Sequence, residues 1–390
     1  MSDDFRAVLD SLPRYREAAR KLRDLLLANL VMIGEIPAPT FGEARRVEFL
    51  CQRFAECGLQ NVAPDETGNA LAVLPGSGDG ERSIVIAAHA DTVFSEHTNQ
   101  TVSLRADRVI GPAVADNSLG LAVLATLPPL LEDLELTLRS NLILVGAVRS
   151  LGRGNLQGIR FFLDNNTMPI AAGICVEGAQ LGRLSFASNG MVRGEITVKL
   201  PEEYDWTRFG TTSAVMVLHT IVERIGQIPL PQQPRSRIVI GSVHAGNSFN
   251  RIPTHAVLRF EARSESGEIV KEIRQRIQDI VLDVSSRTRA QVELDILAAC
   301  EPGGLEFSHP LVRCTNCILS ALGIKPEVSP SISDLTAFIA RGIPAVTVGI
   351  SRAENLNELN ESVEIEPMVT GVAQLLALIT AVDGGLCDDH

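Results

Sequence analysis

Two stretches of this chain carry side chains whose types and spacing suit cation chemistry. The run IVIAAHADTV, Ile84 to Val93, is apolar and β-branched until it ends in His89 and Asp91. The run VIGPAVADNSLGLAVL, Val109 to Leu124, places Asp116 and Asn117 just before a small-residue segment. A buried strand accounts for the first and a loop-to-helix junction for the second. An imidazole at a strand end and a carboxylate on a nearby loop can converge on one cation. The same residues also suit a buried histidine paired with Asp91 and a helix cap at Asp116, and the residue types alone leave both open.

The elements that must position these groups follow from length and pattern. At 390 residues, two domains are expected, one of them inserted in the other. The apolar content of 45% supplies ample core, and a net charge of −12 argues against nucleic acid or an anionic membrane as partner. The start MSDDFRAVLD carries acids where a secretory signal would carry bases, and no uninterrupted apolar run reaches spanning length, so a cytoplasmic protein is expected. Seven scattered cysteines, Cys51, Cys57, Cys175, Cys300, Cys314, Cys317 and Cys387, suit reduced thiols. Cys314 and Cys317 lie in a helix-like apolar stretch with no second pair, and fit buried helix cysteines better than a metal knuckle.

Periodicity predicts helix over 3–33 and 42–57, strands over 61–63, 70–74, 84–88, 141–148 and 171–176, and helices over 119–131 and 156–164. Strands alternating with helices imply an α/β fold with a mostly parallel sheet covered on both faces. Residues 191–200, 210–226, 236–243, 254–263, 266–285 and 290–298 then read as a self-contained β-α-β-β-α-β, ferredoxin-like unit. Helices over 309–322, 334–341 and 367–382 and a strand over 345–349 complete the chain, giving a first domain over 1–188 and 301–390 and an inserted one over 189–300.

Taken in order, H-A-D-T-V, A-D-N-S-x-G, V-E-G and S-D-x-x-x-F-x-x-x-G-I-P-A-V-T-V-G resemble the cocatalytic zinc exopeptidases. That family includes peptidase T, the aminoacylases, the succinyl-diaminopimelate desuccinylases and the glutamate carboxypeptidases. The resemblance spans nearly the whole chain and implies a two-metal hydrolase with an inserted lid and dimerisation domain. By match of motif, His89 is the first metal ligand, Asp91 its orienting partner, Asp116 the bridging carboxylate and Glu177 a further ligand. Asn117, Asn250 in the turn GNSFNRIP and Arg263 in RFEAR match substrate-binding positions, Arg263 as a contact for a substrate carboxylate or for the partner subunit. An Arg263 paired with Glu261 or Glu265 on a solvated edge fits equally.

The chain departs from the family pattern where the chemistry is heaviest. The run GAVRSLGRGNLQG, Gly146 to Gly158, puts Ser150 at the catalytic glutamate position and Leu151 at a ligand position. No Asp or Glu occurs between Glu135 and Asp164, so no register slip restores them. Asn357 stands where the C-terminal ligand histidine belongs, with no histidine between His309 and His390. Tyr204 and Trp206 occupy the region where relatives carry an oxyanion-stabilising histidine, and His244 in VHAGN fits an ordinary turn. A serine hydroxyl is a poor proton acceptor and leucine offers no lone pair.

The resemblance therefore implies at most one zinc ion, or none, and three functions. One is a catalytically degenerate member that binds a small peptide, amino acid or N-acyl amino acid. Another is a single-metal aminopeptidase or deacylase with its base drawn from the Glu354 to Glu361 segment. The third is a structural subunit that pairs with an active relative. A homodimer through the inserted domain is expected.

Overall fold

The computed structural model describes residues 3–78, 80, 82–201 and 213–389. They form two compact units, Met1–Ala187 with Gly304–His390, and Ser188–Gly303. The helices are α1 Asp3–Asp10, α2 Leu12–Lys21, α3 Arg23–Gly34, α4 Ala44–Glu56, α5 Leu119–Asp133, α6 Gln157–Asn165, α7 Ala214–Gly226, α8 Gly267–Arg287, α9 Pro310–Ala321, α10 Leu335–Ile339 and α11 Glu366–Asp383. The principal strands are β1 Gln60–Pro64, β2 Ala70–Leu74, β3 Ser83–His89, β4 Asn141–Ala147, β5 Ile170–Glu177, β6 Arg183–Ser185, β7 Gly190–Lys199, β8 Ser236–Ala245, β9 His255–Ser264, β10 Gln291–Cys300, β11 Glu327–Val328 and β12 Ala345–Gly349.

The first unit is built on a mixed sheet in the order β1-β2-β4-β3-β5-β12-β6-β11. Its centre, β4-β3-β5-β12, is parallel, whereas β2 runs antiparallel to β4 and β6 antiparallel to β12. Every residue of β3, the run SIVIAAH, is buried, as a strand covered on both faces requires. Helices α3, α5 and α11 pack on one face, and α6 and α10 with Phe338 and Phe162 on the other.

Several elements differ from the sequence expectation. The single helix over 3–33 is three, because Pro13, near the start of α2, cannot donate to the preceding turn and Leu22 turns the chain again. Two segments, 114–133 and 366–383, are long and apolar enough to cross a membrane by length and composition, although polar residues interrupt the apolar run of each. Both are core elements here, with 89% and 72% of their most apolar windows buried inside the unit. A small antiparallel sheet of Ser103–Leu104, Arg108–Ile110, Ala353–Glu354 and Ser362–Glu364 has no clear sequence signal, since its strands are two or three residues long. It pairs Ile110 with Ser362 and Val109 with Val363, and so fixes the approach to Asp116 against residues 360–362.

The second unit is an antiparallel four-stranded sheet, β8-β9-β7-β10, with α7 and α8 on one face. With the chain order β7-α7-β8-β9-α8-β10 this is the ferredoxin-like topology. Val192, Ile196 and Val198 of β7 alternate with Leu258, Phe260 and Ala262 of β9 to meet Ile221, Ile273 and Ile277 of the helices.

Candidate metal centre

Parallel pairing places the carboxyl ends of β3, β4, β5 and β12 along one edge. His89 is opposite Ala147, and Glu177 is opposite Gly349. Such an edge is where open α/β sheets gather their functional groups. Gly178, just beyond Glu177, is required there, because a Cβ would lie 2.3 Å from the Ala115 carbonyl oxygen. The close approach brings the Asp116 loop against the end of β5.

Three ligating groups converge as a result. His89 Nε2 lies 3.0 Å from Asp116 Oδ1 and 3.9 Å from Glu177 Oε2. The ligand atoms of the three residues all lie within 4.8 Å of one another, and this is the one such cluster among the described residues. His89 Nδ1 lies 3.0 Å from the Asp91 carbonyl oxygen. A proton on Nδ1 satisfies that contact and leaves Nε2 with a free lone pair toward the carboxylates. One imidazole and two carboxylates with a remaining open position suit zinc of the catalytic type. The Asp116 carboxylate is 30% exposed against 7% for the histidine, so the open side of the cluster lies at Asp116.

Buried partners hold these groups. The Asp91 carboxylate lies 3.6 Å from His89 Nδ1, and its Oδ2 accepts from Thr40 Oγ1 and the Leu151 amide, each at 2.8 Å. Behind it, Arg46 is fully buried and donates to the Ile36 and Ala90 carbonyls at 2.8 and 3.3 Å. Burial lowers its guanidinium pKa to about 10 even though the Asp91 charge opposes this. Glu361 accepts from the Ala115 and Asp116 amides at 2.7 and 2.9 Å and from the Asn357 amide at 2.9 Å. Asn117 donates to the Val176 carbonyl at 2.8 Å and accepts from the Gly178 amide at 2.9 Å, so its amide is spent bracing β5 to the Asp116 loop.

Charge is tightly balanced. Burial opposes a proton on His89, but hydrogen bonds with Asp116 and Asp91 and the charge of Glu177 outweigh it and hold the imidazole pKa well above its usual value. Burial likewise raises Asp116, yet His89 brings its carboxyl below the ordinary range. Glu177 stays raised by burial. Arg183, which donates to Ser331 Oγ at 2.7 Å, lowers both Asp116 and Glu177 through its charge.

The loop after β4 is different in kind. Ser150 is buried and its hydroxyl donates to Asp334 Oδ1 at 3.2 Å, while Leu151 contributes only its backbone amide, to Asp91. Asp334 is buried at the start of α10, and burial pushes its carboxyl up to about 7. The S-D motif contains this residue, but nothing in the sequence pattern marks it for a role at the site. Arg46 and Arg183 carry no sequence signal either, because each acts through partners remote in sequence, and Glu361, expected within the segment that could supply a base, instead serves backbone amides.

Asn357 is exposed, with φ of 66°, a left-handed conformation that asparagine tolerates. Within the 354–361 segment, Glu354 pairs with Arg108 at 3.0 Å, and both oxygens of Glu361 are taken by backbone amides. Of the carboxylates expected to supply a base there, these two are engaged, and Glu358 of the same segment is exposed. Asn250 and Arg263 lie in the second unit, where Asn250 accepts from Ser248 Oγ at 3.0 Å and Arg263 pairs with Glu261 at 2.5 Å. His244 lies near the end of β8, also in the second unit. Tyr204 and Trp206 lie outside the described residues.

Residues 194–289 match the M20_dimer family model, the peptidase dimerisation domain. Solved structures extend the likeness, in fold, to nearly the whole chain. A tripeptidase from Staphylococcus aureus is 18% identical with a TM-score of 0.73, covering 93% of this chain and 99% of that one. The dipeptidase Dug1p from Saccharomyces cerevisiae is 12% identical with a TM-score of 0.78, covering 96% and 99%. A dinuclear metal-binding peptidase of the M20 family from Bacillus subtilis is 15% identical with a TM-score of 0.63, covering 93% and 99%.

Proposed function

We propose that this chain, which has the fold of the M20 metallopeptidases and carries their peptidase dimerisation domain, binds one divalent cation and a small amide without efficient hydrolysis. His89, Asp116 and Glu177 would hold the ion, zinc by their donor set, and the ligand is a small peptide, amino acid or N-acyl amino acid. Bound there, the cation would supply Lewis acidity toward a carbonyl oxygen. The chain's own part is to keep the His89 proton on Nδ1 through Asp91, and to fix the Asp116 loop through Glu361. By the family resemblance Asn250 is a substrate-binding position, and Arg263 a contact for a substrate carboxylate or for the partner subunit. The dimerisation domain supports a homodimer, and seven free cysteines support a reducing, cytoplasmic setting.

The observation that carries this reading is the loop after β4. Where the resemblance expects a general base and a ligand, it presents a serine hydroxyl and a leucine. Losing a general acid–base typically costs roughly 10²–10⁴ in rate. One observation favours a second reading, a single-metal hydrolase: Asp334, buried at hydrogen-bond distance from Ser150 with its pKa near 7, is suited to take a proton through that hydroxyl.

Metal analysis of protein purified without chelator, joined to assays of dipeptides and N-acyl amino acids with added zinc, manganese or cobalt, separates them. One metal per chain, lost in His89→Ala, with no turnover is the expected result. Turnover that His89→Ala and Asp334→Asn both abolish overturns it in favour of the hydrolase.

A further inference from the structure

The face of the second unit's sheet that is turned away from α7 and α8 carries an arginine cluster. Alternation along β7, β8 and β9 puts Arg193, Arg237, Arg259 and Arg263 on this one face, around a concavity of about 510 Å³ that Val239, Gly241 and Glu261 also line. That volume is within the range of small-ligand sites.

The register makes the arrangement unfavourable by itself. Arg237 of β8 stands directly opposite Arg263 of β9, and like charges in directly opposed positions destabilise a ladder. One strand further, Glu261 is opposite Arg193, and one step along, Arg259 is opposite Glu195. Glu261 is shared: Arg193 Nε donates to its Oε2 at 2.8 Å and Arg263 Nε to its Oε1 at 2.5 Å. Arg259 Nε donates to Glu195 Oε2 at 2.8 Å. Among the described residues Arg237 makes no hydrogen bond or ion pair. Around the concavity four guanidinia thus meet the carboxylates of Glu261 and Glu195, with Asp295 opposite Glu195 on β10 as a third at its border, in a chain whose net charge is −12. Side chains on a solvated sheet face are free to vary, so a concentrated positive excess in an acidic chain needs a compensating charge, and guanidinium forks match carboxylates in pairs.

We propose that this face binds a small polycarboxylate, with Arg237 and Arg263 gripping one carboxylate and Arg193 and Arg259 bordering a second. One carboxylate contact at Arg263 is already part of the reading above; the further guanidinia require a ligand of two or more acidic groups. That contact rests on the reading above, whereas the four guanidinia all belong to the second unit and can be tested without the cation or hydrolysis.

Titration calorimetry of the full-length protein, carrying His89→Ala to remove metal binding, tests it with tricarballylate against propionate. Tricarballylate is expected to bind at least tenfold more tightly than propionate, and Arg237→Ala to weaken it about tenfold, as loss of one charge-assisted pair implies. Arg259→Ala should weaken it as well, and raised salt should weaken all binding. Equal binding of the two acids, or tricarballylate binding unchanged in both arginine variants, overturns the proposal. Tighter binding of pyrophosphate than of tricarballylate overturns the carboxylate assignment. A dimer that falls to monomer in Arg237→Ala, measured by sedimentation, overturns it in favour of a subunit interface. Arg237 has no partner to lose, so an unchanged melting temperature will show that the variant is folded.

Discussion

The ends of β3 and β5 and the end of β4 lie side by side on one sheet edge, yet they are built for different purposes. The first two deliver His89 and Glu177 to Asp116 as an open-sided donor set with buried partners at every turn. The third winds through positive φ at Arg149, Gly152, Asn155 and Leu156 and offers a hydroxyl and an amide. The contrast teaches that one sheet edge can gather a ligating donor set at two strand ends while the strand beside them presents no carboxylate or imidazole. The two regions share the sheet but not their supporting hydrogen bonds, apart from Asp91, which serves both.

The largest expected effect comes from abolishing the contrast. Ser150→Glu, Leu151→Glu and Asn357→His together should add a second metal and raise turnover of dipeptides or N-acyl amino acids by about 10²–10⁴. Metal content of one per chain after that change would break the comparison with the family's site. Next, His89→Ala should lower zinc affinity by at least ~100-fold in competition with a chromophoric chelator, since it removes one of three ligands. In the parent protein affinity should also fall as pH drops, because the proton and the metal compete for an imidazole whose pKa is raised.

Glu361→Gln should cost about 10–100-fold in metal affinity with the fold retained, read from the same competition and from circular dichroism. Its carboxylate holds the backbone of Asp116 without being a ligand, so an unchanged affinity would show that the loop is held by Asn117 alone. The smallest effect concerns Asp334. Its folded pKa of about 7 lies above the ordinary carboxylate value, so the folded metal-free protein keeps a proton that the unfolded chain has lost. The stability this confers is complete below the ordinary value of 3.8 and is lost as pH rises through about 7. Asp334→Asn should remove a slope on the order of 1 kcal/mol per pH unit in that window, so the variant gains on the parent at pH 8 relative to pH 4.5 in urea melts.

Much of this was legible in one dimension. The β-branched run before His89, the small residues after Asp116 and the changed run at Ser150 and Leu151 all declare themselves locally, because strand burial and helix starts leave period and composition marks. The inserted β-α-β-β-α-β order was legible for the same reason. What had no local mark were residues that act at long range. Arg46 looks like any helix arginine until burial turns it to the Ile36 and Ala90 carbonyls. Glu361 reads as one acid among several until strands of three residues bring it to the Ala115 and Asp116 amides.

By itself, then, the sequence determined the layered α/β scaffold, the inserted domain and the donor types at His89, Asp116 and Glu177, since these follow from hydrophobic period and side-chain chemistry. Only the tertiary structure decided that these donors meet within one ion's reach, that Asp334 lies buried against Ser150, and that Arg237 faces Arg263 across a ladder. Distance between residues remote in sequence is set by strand register and helix packing, and charge state by burial, and neither quantity exists until the chain is folded.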